Sequence, residues 1–69
     1  MARQDVKVDI RGPVGHREQI TVFADPDEPT EVRSEVRIHL EGKGWDRGLL
    51  PEFSLSWLRG WSRSEVRAA

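Results

Sequence analysis

Residues 31–41 read EVRSEVRIHLE, and the conformation of this stretch decides the fold. A helix would gather three apolar residues on one face at a spacing of four, but it would leave Ile38 off that face. A strand instead puts apolar and charged side chains on opposite faces. We therefore predict a strand for residues 31–41. A helix would also bring like charges together four residues apart, which is mildly destabilising, in the pairs Glu31 with Glu35 and Arg33 with Arg37.

Two more strands are predicted before this stretch. Residues 5–11 alternate strictly between charged and apolar side chains, and residues 17–24 are rich in β-branched residues. Glycine and proline between them indicate a turn, so the two strands form a hairpin. Apolar side chains stay on one face only if Val8 lies opposite Ile20, because a slip of one residue moves every side chain to the other face.

The last third of the chain holds all three tryptophans, and its pattern is ambiguous. Leu50, Phe53, Trp57 and Trp61 follow helical spacing, while Phe53, Leu55 and Trp57 also alternate as a strand would. We favour the helix, because a three-stranded sheet needs a cover for its apolar face. The predicted fold is a single α+β domain, residues 1–69, with a three-stranded antiparallel meander, a covering C-terminal helix and a mobile tail at 62–69. The alternative is a small all-β sheet or barrel.

The composition excludes several classes of protein. The chain has 69 residues, no cysteine and a net charge of −1. Without cysteine it has neither disulfides nor thiolate zinc ligands, and we expect a cytoplasmic location. No apolar run is long enough to cross a membrane, and the chain carries no phosphate-binding loop and no Ser-His-Asp arrangement. We therefore expect a protein that is not an enzyme, binds no cofactor and does not associate with membranes.

Two histidines each precede a carboxylate by two residues, in His16-Arg17-Glu18 and His39-Leu40-Glu41. Imidazole and carboxylate groups are common metal ligands. The register that keeps the core together places His16 and His39 on opposite faces, so no metal site is predicted. Glu18 itself falls on the apolar face, where a desolvated carboxylate is a candidate for proton transfer. We expect instead that Glu18 lies past the edge of the core or pairs with an arginine.

The predicted outer face of the sheet is the candidate partner-binding surface. Arg11 lies opposite Arg17 there, and this like-charge pair is unfavourable unless an anion or a partner's carboxylate binds to it. Phe23 is predicted to lie opposite Arg33, where it forms a cation–π contact or anchors a partner. The candidate partner-binding residues are Arg11, Arg17, Phe23, Arg33, Arg37 and His39.

A second set of residues predicts a different ligand. Arginine and tryptophan alternate near the C-terminus, and such residues stack on bases and neutralise phosphates in single-strand binders. The nucleic-acid-binding candidates are Trp57, Arg59, Trp61 and Arg63.

We conclude from the sequence that the chain is a non-catalytic protein-binding module, such as an inhibitor, an adaptor or a small regulatory subunit. It acts through the outer sheet face or through an edge strand, and strands one and three are the predicted edges. Its expected partner is another protein. A homodimer is a second possibility, because dimerisation would enlarge the thin core. The alternative function is nucleic-acid binding through the Arg/Trp-rich C-terminal segment and the sheet row that contains Arg11 and Arg17.

Overall fold

The computed structural model describes residues 2–69, so Met1 of the predicted single domain lies outside the described residues. The fold is α+β: four antiparallel strands form one open sheet in the order β2-β1-β3-β4, and one α-helix packs on it. The helix lies in the middle of the chain rather than at its C-terminus. The elements are β1 (Gln4–Arg11), β2 (Arg17–Ala24), α1 (Pro29–Gly42), β3 (Ser54–Arg59) and β4 (Ser62–Arg67).

The β1–β2 hairpin confirms the predicted strands and their register. Val8 pairs with Ile20, and Arg11 pairs with Arg17. A short 3-10 turn at Pro13–Gly15 connects the strands, with Gly15 in the left-handed region at φ 74°. Val14 also has a positive φ, 51°, which is unusual for a β-branched residue, and its side chain is almost fully exposed.

The predicted strand at residues 31–41 is wrong, because this stretch belongs to α1. The helix buries Val32, Val36 and Leu40 completely and leaves Ile38 two-thirds exposed. Partners outside the helix offset the like charges within it. Glu31 forms an ion pair with Arg3 at 3.1 Å, and Arg33 Nε donates a hydrogen bond to the Arg67 carbonyl at 3.0 Å.

The predicted C-terminal helix is also wrong. Residues 47–52 form a 3-10 helix, and the rest of the region forms the β3–β4 hairpin, in which Leu55 and Trp57 are buried. The expected mobile tail at 62–69 contains strand β4, which pairs with β3 over six positions. The sheet therefore has four strands instead of three. Strand β1 is central, and the edges are β2 and β4 rather than the first and third strands.

One core lies between the sheet and α1. Its members are fully or almost fully buried, and the β1–β3 contact joins the two hairpins beneath the helix. Within residues 2–69, no helix has both the length and the apolar character needed to cross a membrane. The core residues are Val6, Val8, Ile10, Val22, Ala24, Val32, Val36, Leu40, Leu50, Phe53, Leu55, Trp57 and Ala68.

Candidate functional site

The sheet has two different faces, because α1 covers only one of them. We call the covered side the closed face and the other side the open face. Side chains alternate between the faces along each strand, so the register assigns every residue to one of them. The open face carries Asp5, Lys7, Asp9 and Arg11 of β1, Arg17, Gln19, Thr21 and Phe23 of β2, Ser54, Ser56 and Leu58 of β3, and Arg63, Glu65 and Arg67 of β4.

One end of the open face is a row of basic side chains that crosses all four strands. The register places Arg17, Arg11, Ser54 and Arg67 side by side, and we call these four residues the basic row. All three arginines are exposed. None of their side chains forms an ion pair or a hydrogen bond with another residue in the part of the chain that the structure describes.

Arg11 and Arg17 are held close together by the backbone. The Gly12 amide donates to the His16 carbonyl at 2.8 Å, so the adjacent Arg11–Arg17 pair is of the non-hydrogen-bonded type. In such pairs the Cα atoms are only about 4.5 Å apart. Two like charges in this position are unfavourable, and no acidic side chain among residues 2–69 neutralises them.

The next row of the open face consists of Gln19, Asp9, Ser56 and Glu65 and carries two carboxylates, one of which pairs with Arg63 from the row beyond it. Asp9 accepts a hydrogen bond from Gln19 at 2.8 Å and forms an ion pair with Arg63, which also donates to Ser56 at 3.1 Å. This network lies between two shallow grooves. One groove, of about 410 Å³, is lined by arginines, by serines and by the carboxylates of Asp9, Glu18 and Glu65. The other, of about 440 Å³, is lined by β1 and Leu58.

The other end of the open face carries exposed apolar side chains beside the charged residues Asp5 and Lys7 of β1. Phe23 on β2 and Leu58 on β3 are 59% and 61% exposed. Trp61, in the β3–β4 turn, is fully exposed. Gly60 precedes it in the turn with φ 58°, a conformation that glycine adopts readily. Large apolar side chains in such positions are typical anchors of protein interfaces.

A separate polar cluster lies at the end of the sheet near the β1–β2 turn. Glu18, whose side chain is 14% exposed, accepts hydrogen bonds from His39 Nε2 at 2.5 Å and from His16 Nε2 at 2.6 Å. Lys43 Nζ lies 3.4 Å from the same carboxylate. The His16 ring packs edge-on against the ring of Trp45, with centroids 5.3 Å apart. The cluster therefore ties the C-terminal end of α1 to the start of β2.

The charge state of Glu18 follows from these contacts. Burial raises the pKa of its carboxyl group, whereas the hydrogen bonds from His39 and His16 and the positive charge of Lys43 lower it. The net result is a pKa below the ordinary value, so Glu18 is ionised at neutral pH. Each carboxylate oxygen already accepts a hydrogen bond from an imidazole ring. This arrangement is typical of a structural role, in which Glu18 holds α1 against β2.

The cluster corrects two predictions from the sequence. The two histidines are not separated on opposite faces, because His39 comes from α1 and reaches Glu18 from above the sheet. Glu18 pairs with histidines and a lysine, not with an arginine. Even so, the described residues include no group of histidine, aspartate and glutamate side chains arranged to hold a metal ion.

The predicted partner-binding residues do not form one surface. Arg11, Arg17 and Phe23 lie on the open face, where the sequence places them. The other three lie on α1, on the opposite side of the sheet: Arg33 contacts β4, His39 contacts Glu18, and Arg37 is half-buried on the helix. The predicted contact between Phe23 and Arg33 is wrong, because Phe23 pairs with Asp5.

The predicted nucleic-acid-binding residues are also divided. Trp57 is fully buried in the core, and its indole Nε1 donates to the Pro26 carbonyl at 2.9 Å. Arg59 forms an ion pair with Asp27 at 3.2 Å on the closed-face side. Of these four residues, only Trp61 and Arg63 lie near the open face, and the side chain of Arg63 already forms an ion pair with Asp9.

Two residues of the open face were missed from the sequence. Leu58 and Arg67 join this face only because β3 and β4 are strands. The alternation of Phe53, Leu55 and Trp57 was the signal that could have found them.

No family model, no curated protein and no solved structure matches this chain.

Proposed function

We propose that this chain is a non-catalytic protein-binding module that presents its open face to another protein. The observation that carries the proposal is the combination of two exposed apolar side chains, Phe23 and Leu58, with an unpaired basic row on one uncovered sheet face. Exposed aromatic side chains together with arginines are enriched where proteins bind tightly. An inhibitor, an adaptor or a small regulatory subunit would use such a face.

The contacts elsewhere in the molecule support a binding role over a catalytic one. The open face has shallow grooves rather than an enclosed pocket, and its polar centre is an internal network of Asp9, Gln19 and Arg63. The one carboxylate of the histidine cluster, Glu18, already has two close donors. Nucleic-acid binding has less support, because Trp57 is in the core and Arg59 is paired.

Affinity capture with matched variants tests the proposal. The immobilised protein is compared with two open-face variants, Phe23→Ser/Leu58→Ser and Arg11→Glu/Arg17→Glu. The control, Arg37→Glu/Ile38→Ser, changes one charge and one exposed apolar residue on α1. We expect the wild type and the control variant to capture the same protein. After purification, that protein should bind both open-face variants at least about tenfold more weakly than the wild type, which is a loss of about 1.4 kcal/mol in binding free energy.

Two outcomes would contradict the proposal. A partner that binds both open-face variants as tightly as the wild type would place the interface elsewhere. Capture of DNA or RNA that falls steeply with added salt would favour the nucleic-acid alternative. All the substituted side chains are at least partly exposed, so each variant is expected to keep the fold. Far-ultraviolet circular dichroism checks this for each variant.

A further inference from the structure

We infer that the basic row binds carboxylates, and that the partner contributes an acidic peptide segment with two acidic side chains about 12 Å apart. This inference rests on the proposed function and specifies the chemistry of the partner. The basic row consists of Arg17, Arg11, Ser54 and Arg67, one residue from each strand.

The first carboxylate binds between Arg11 and Arg17. These side chains are adjacent across the strands and exposed, and neither forms an ion pair with an acidic side chain among the described residues, although Asp9 lies in the next row of the same face. A carboxylate accepts paired hydrogen bonds from a guanidinium group, and such charge-assisted bonds are about twice as strong as neutral ones. Binding one would also remove the repulsion between the two arginines. The site is therefore better satisfied with an acidic ligand than without one.

The second carboxylate binds at Arg67. Neighbouring strands are about 4.8 Å apart, and Arg67 is two and a half strand spacings from the midpoint of the Arg11–Arg17 pair, or about 12 Å. Ser54 lies between them and is short, so a peptide can cross the row at this point. In an extended peptide, side chains four residues apart are about 13 Å apart on one face. The matching pattern is thus an acidic residue, three other residues and a second acidic residue.

The rest of the open face disfavours a long polyanion. Asp5, Asp9 and Glu65 lie on the same face beyond the basic row, and the whole chain has a net charge of −1. A nucleic acid would bring phosphates against these carboxylates along its length. A short acidic segment places its charge on the row alone, which is why we assign a peptide and not a nucleic acid.

A titration followed by nuclear magnetic resonance tests the inference with the full chain. The probe is a serine-rich peptide with two glutamates separated by three serines, and the control peptide has glutamines in their place. At low salt we expect the glutamate peptide to shift the amide signals of Arg11, Arg17, Ser54 and Arg67, and the control peptide to leave them unchanged. A peptide with adjacent glutamates should bind more weakly.

Variants then locate the site. Arg11→Gln/Arg17→Gln should weaken peptide binding at least about tenfold, and Arg67→Gln several-fold. The control Arg37→Gln/Arg47→Gln removes the same charge from α1 and from the 3-10 helix after it, and should bind as the wild type does. The inference would be overturned if the glutamate peptide did not shift the amide signals of the basic row at low salt. It would also be overturned if the control variant weakened peptide binding as much as the basic-row variants do.

The outcome separates this inference from the proposed function. If the captured protein partner is lost with Phe23→Ser/Leu58→Ser but binds Arg11→Gln/Arg17→Gln normally, the open face is an interface and the carboxylate site is wrong. If a single-stranded oligothymidylate shifts the same signals at lower concentration than the glutamate peptide, the assignment of a peptide ligand is wrong.

Discussion

The closed and open faces of this sheet are built from alternate residues of the same strands, yet they differ in almost every physical respect. On the closed face, Val8, Ile10 and Trp57 are fully or almost fully buried, and no buried side-chain polar atom within residues 2–69 lacks a hydrogen-bond partner. On the open face, two large apolar side chains are more than half exposed and three arginines are unpaired. The folded state is stabilised mainly by burial of apolar side chains, and it requires hydrogen-bond partners for the polar groups that are buried with them.

The difference teaches that the closed face accounts for folding and leaves the open face available for binding. A domain of this size hides only about 60% of its unfolded surface, so it has little apolar material to spare. Phe23, Leu58 and Trp61 nevertheless stay in solvent. The following predictions test this division between the two faces.

The largest contrast is expected between two neighbours in β3. Trp57 is fully buried and Leu58 is mostly exposed. We expect Trp57→Ala to lower the free energy of unfolding by about 3–5 kcal/mol, through lost burial, a cavity and an unsatisfied Pro26 carbonyl. Leu58→Ala should change it by less than about 0.5 kcal/mol. Urea unfolding monitored by circular dichroism measures both, and similar losses for the two variants would break the comparison.

A smaller effect, dependent on pH, is expected at the histidine cluster. Because the folded-state pKa of Glu18 is lowered, ionised Glu18 stabilises the fold above the ordinary carboxyl range. This stabilisation is lost as the pH falls through the folded-state pKa. We expect Glu18→Gln to be about 1 kcal/mol less stable than the wild type at neutral pH, since it loses charge-assisted hydrogen bonds.

The measurement is the free energy of unfolding against pH for both proteins. The difference between wild type and Glu18→Gln should persist while Glu18 is ionised and shrink as the pH falls below the ordinary carboxyl range through the folded-state pKa of Glu18. A difference that stays constant with pH would show that the ionised carboxylate does not tie α1 to β2. Glu65→Gln, on the open face and without an ion pair among the described side chains, is the matched control.

The smallest effect is expected on the open face itself. Arg11→Gln/Arg17→Gln removes a repulsive pair that has no partner, so stability should rise by a few tenths of a kcal/mol. Added salt should reduce the gain, because it screens the repulsion in the wild type. Thermal unfolding at low and high salt measures both effects. A loss of about 2 kcal/mol would mean that these arginines hold the fold and would remove the distinction between the two faces.

Local patterns in the sequence were sufficient for the first hairpin and insufficient elsewhere. Strict alternation at residues 5–11 and a short turn left one register that keeps apolar side chains together, and the Arg11–Arg17 pair followed from it. The stretch 31–41 fitted a strand better than a helix, because a helix leaves Ile38 off its apolar face and repeats like charges four residues apart. The like charges that argued against a helix are offset by Arg3 and by the Arg67 carbonyl, which lie far away in the chain.

The same reason explains what was missed in the candidate site. Glu18 and the two histidines were recognised as unusual, but only the position of α1 brings His39 onto Glu18. Arg67 could not be added to the basic row without knowing that β4 exists and pairs with β3. The contact between His39 and Glu18 joins residues 21 positions apart, and no local pattern encodes it. The place of Arg67 follows from local alternation only once β3 and β4 are interpreted as strands.

The sequence by itself determined the β1–β2 register and the adjacent arginines of the open face, because period-two alternation and turn residues act locally. Only the tertiary structure decided that residues 31–41 form a helix and that the C-terminal region forms two strands. Both segments could bury an apolar face in either conformation. The choice between them depended on which arrangement gave one sheet, one helix and a shared core with partners for its charges.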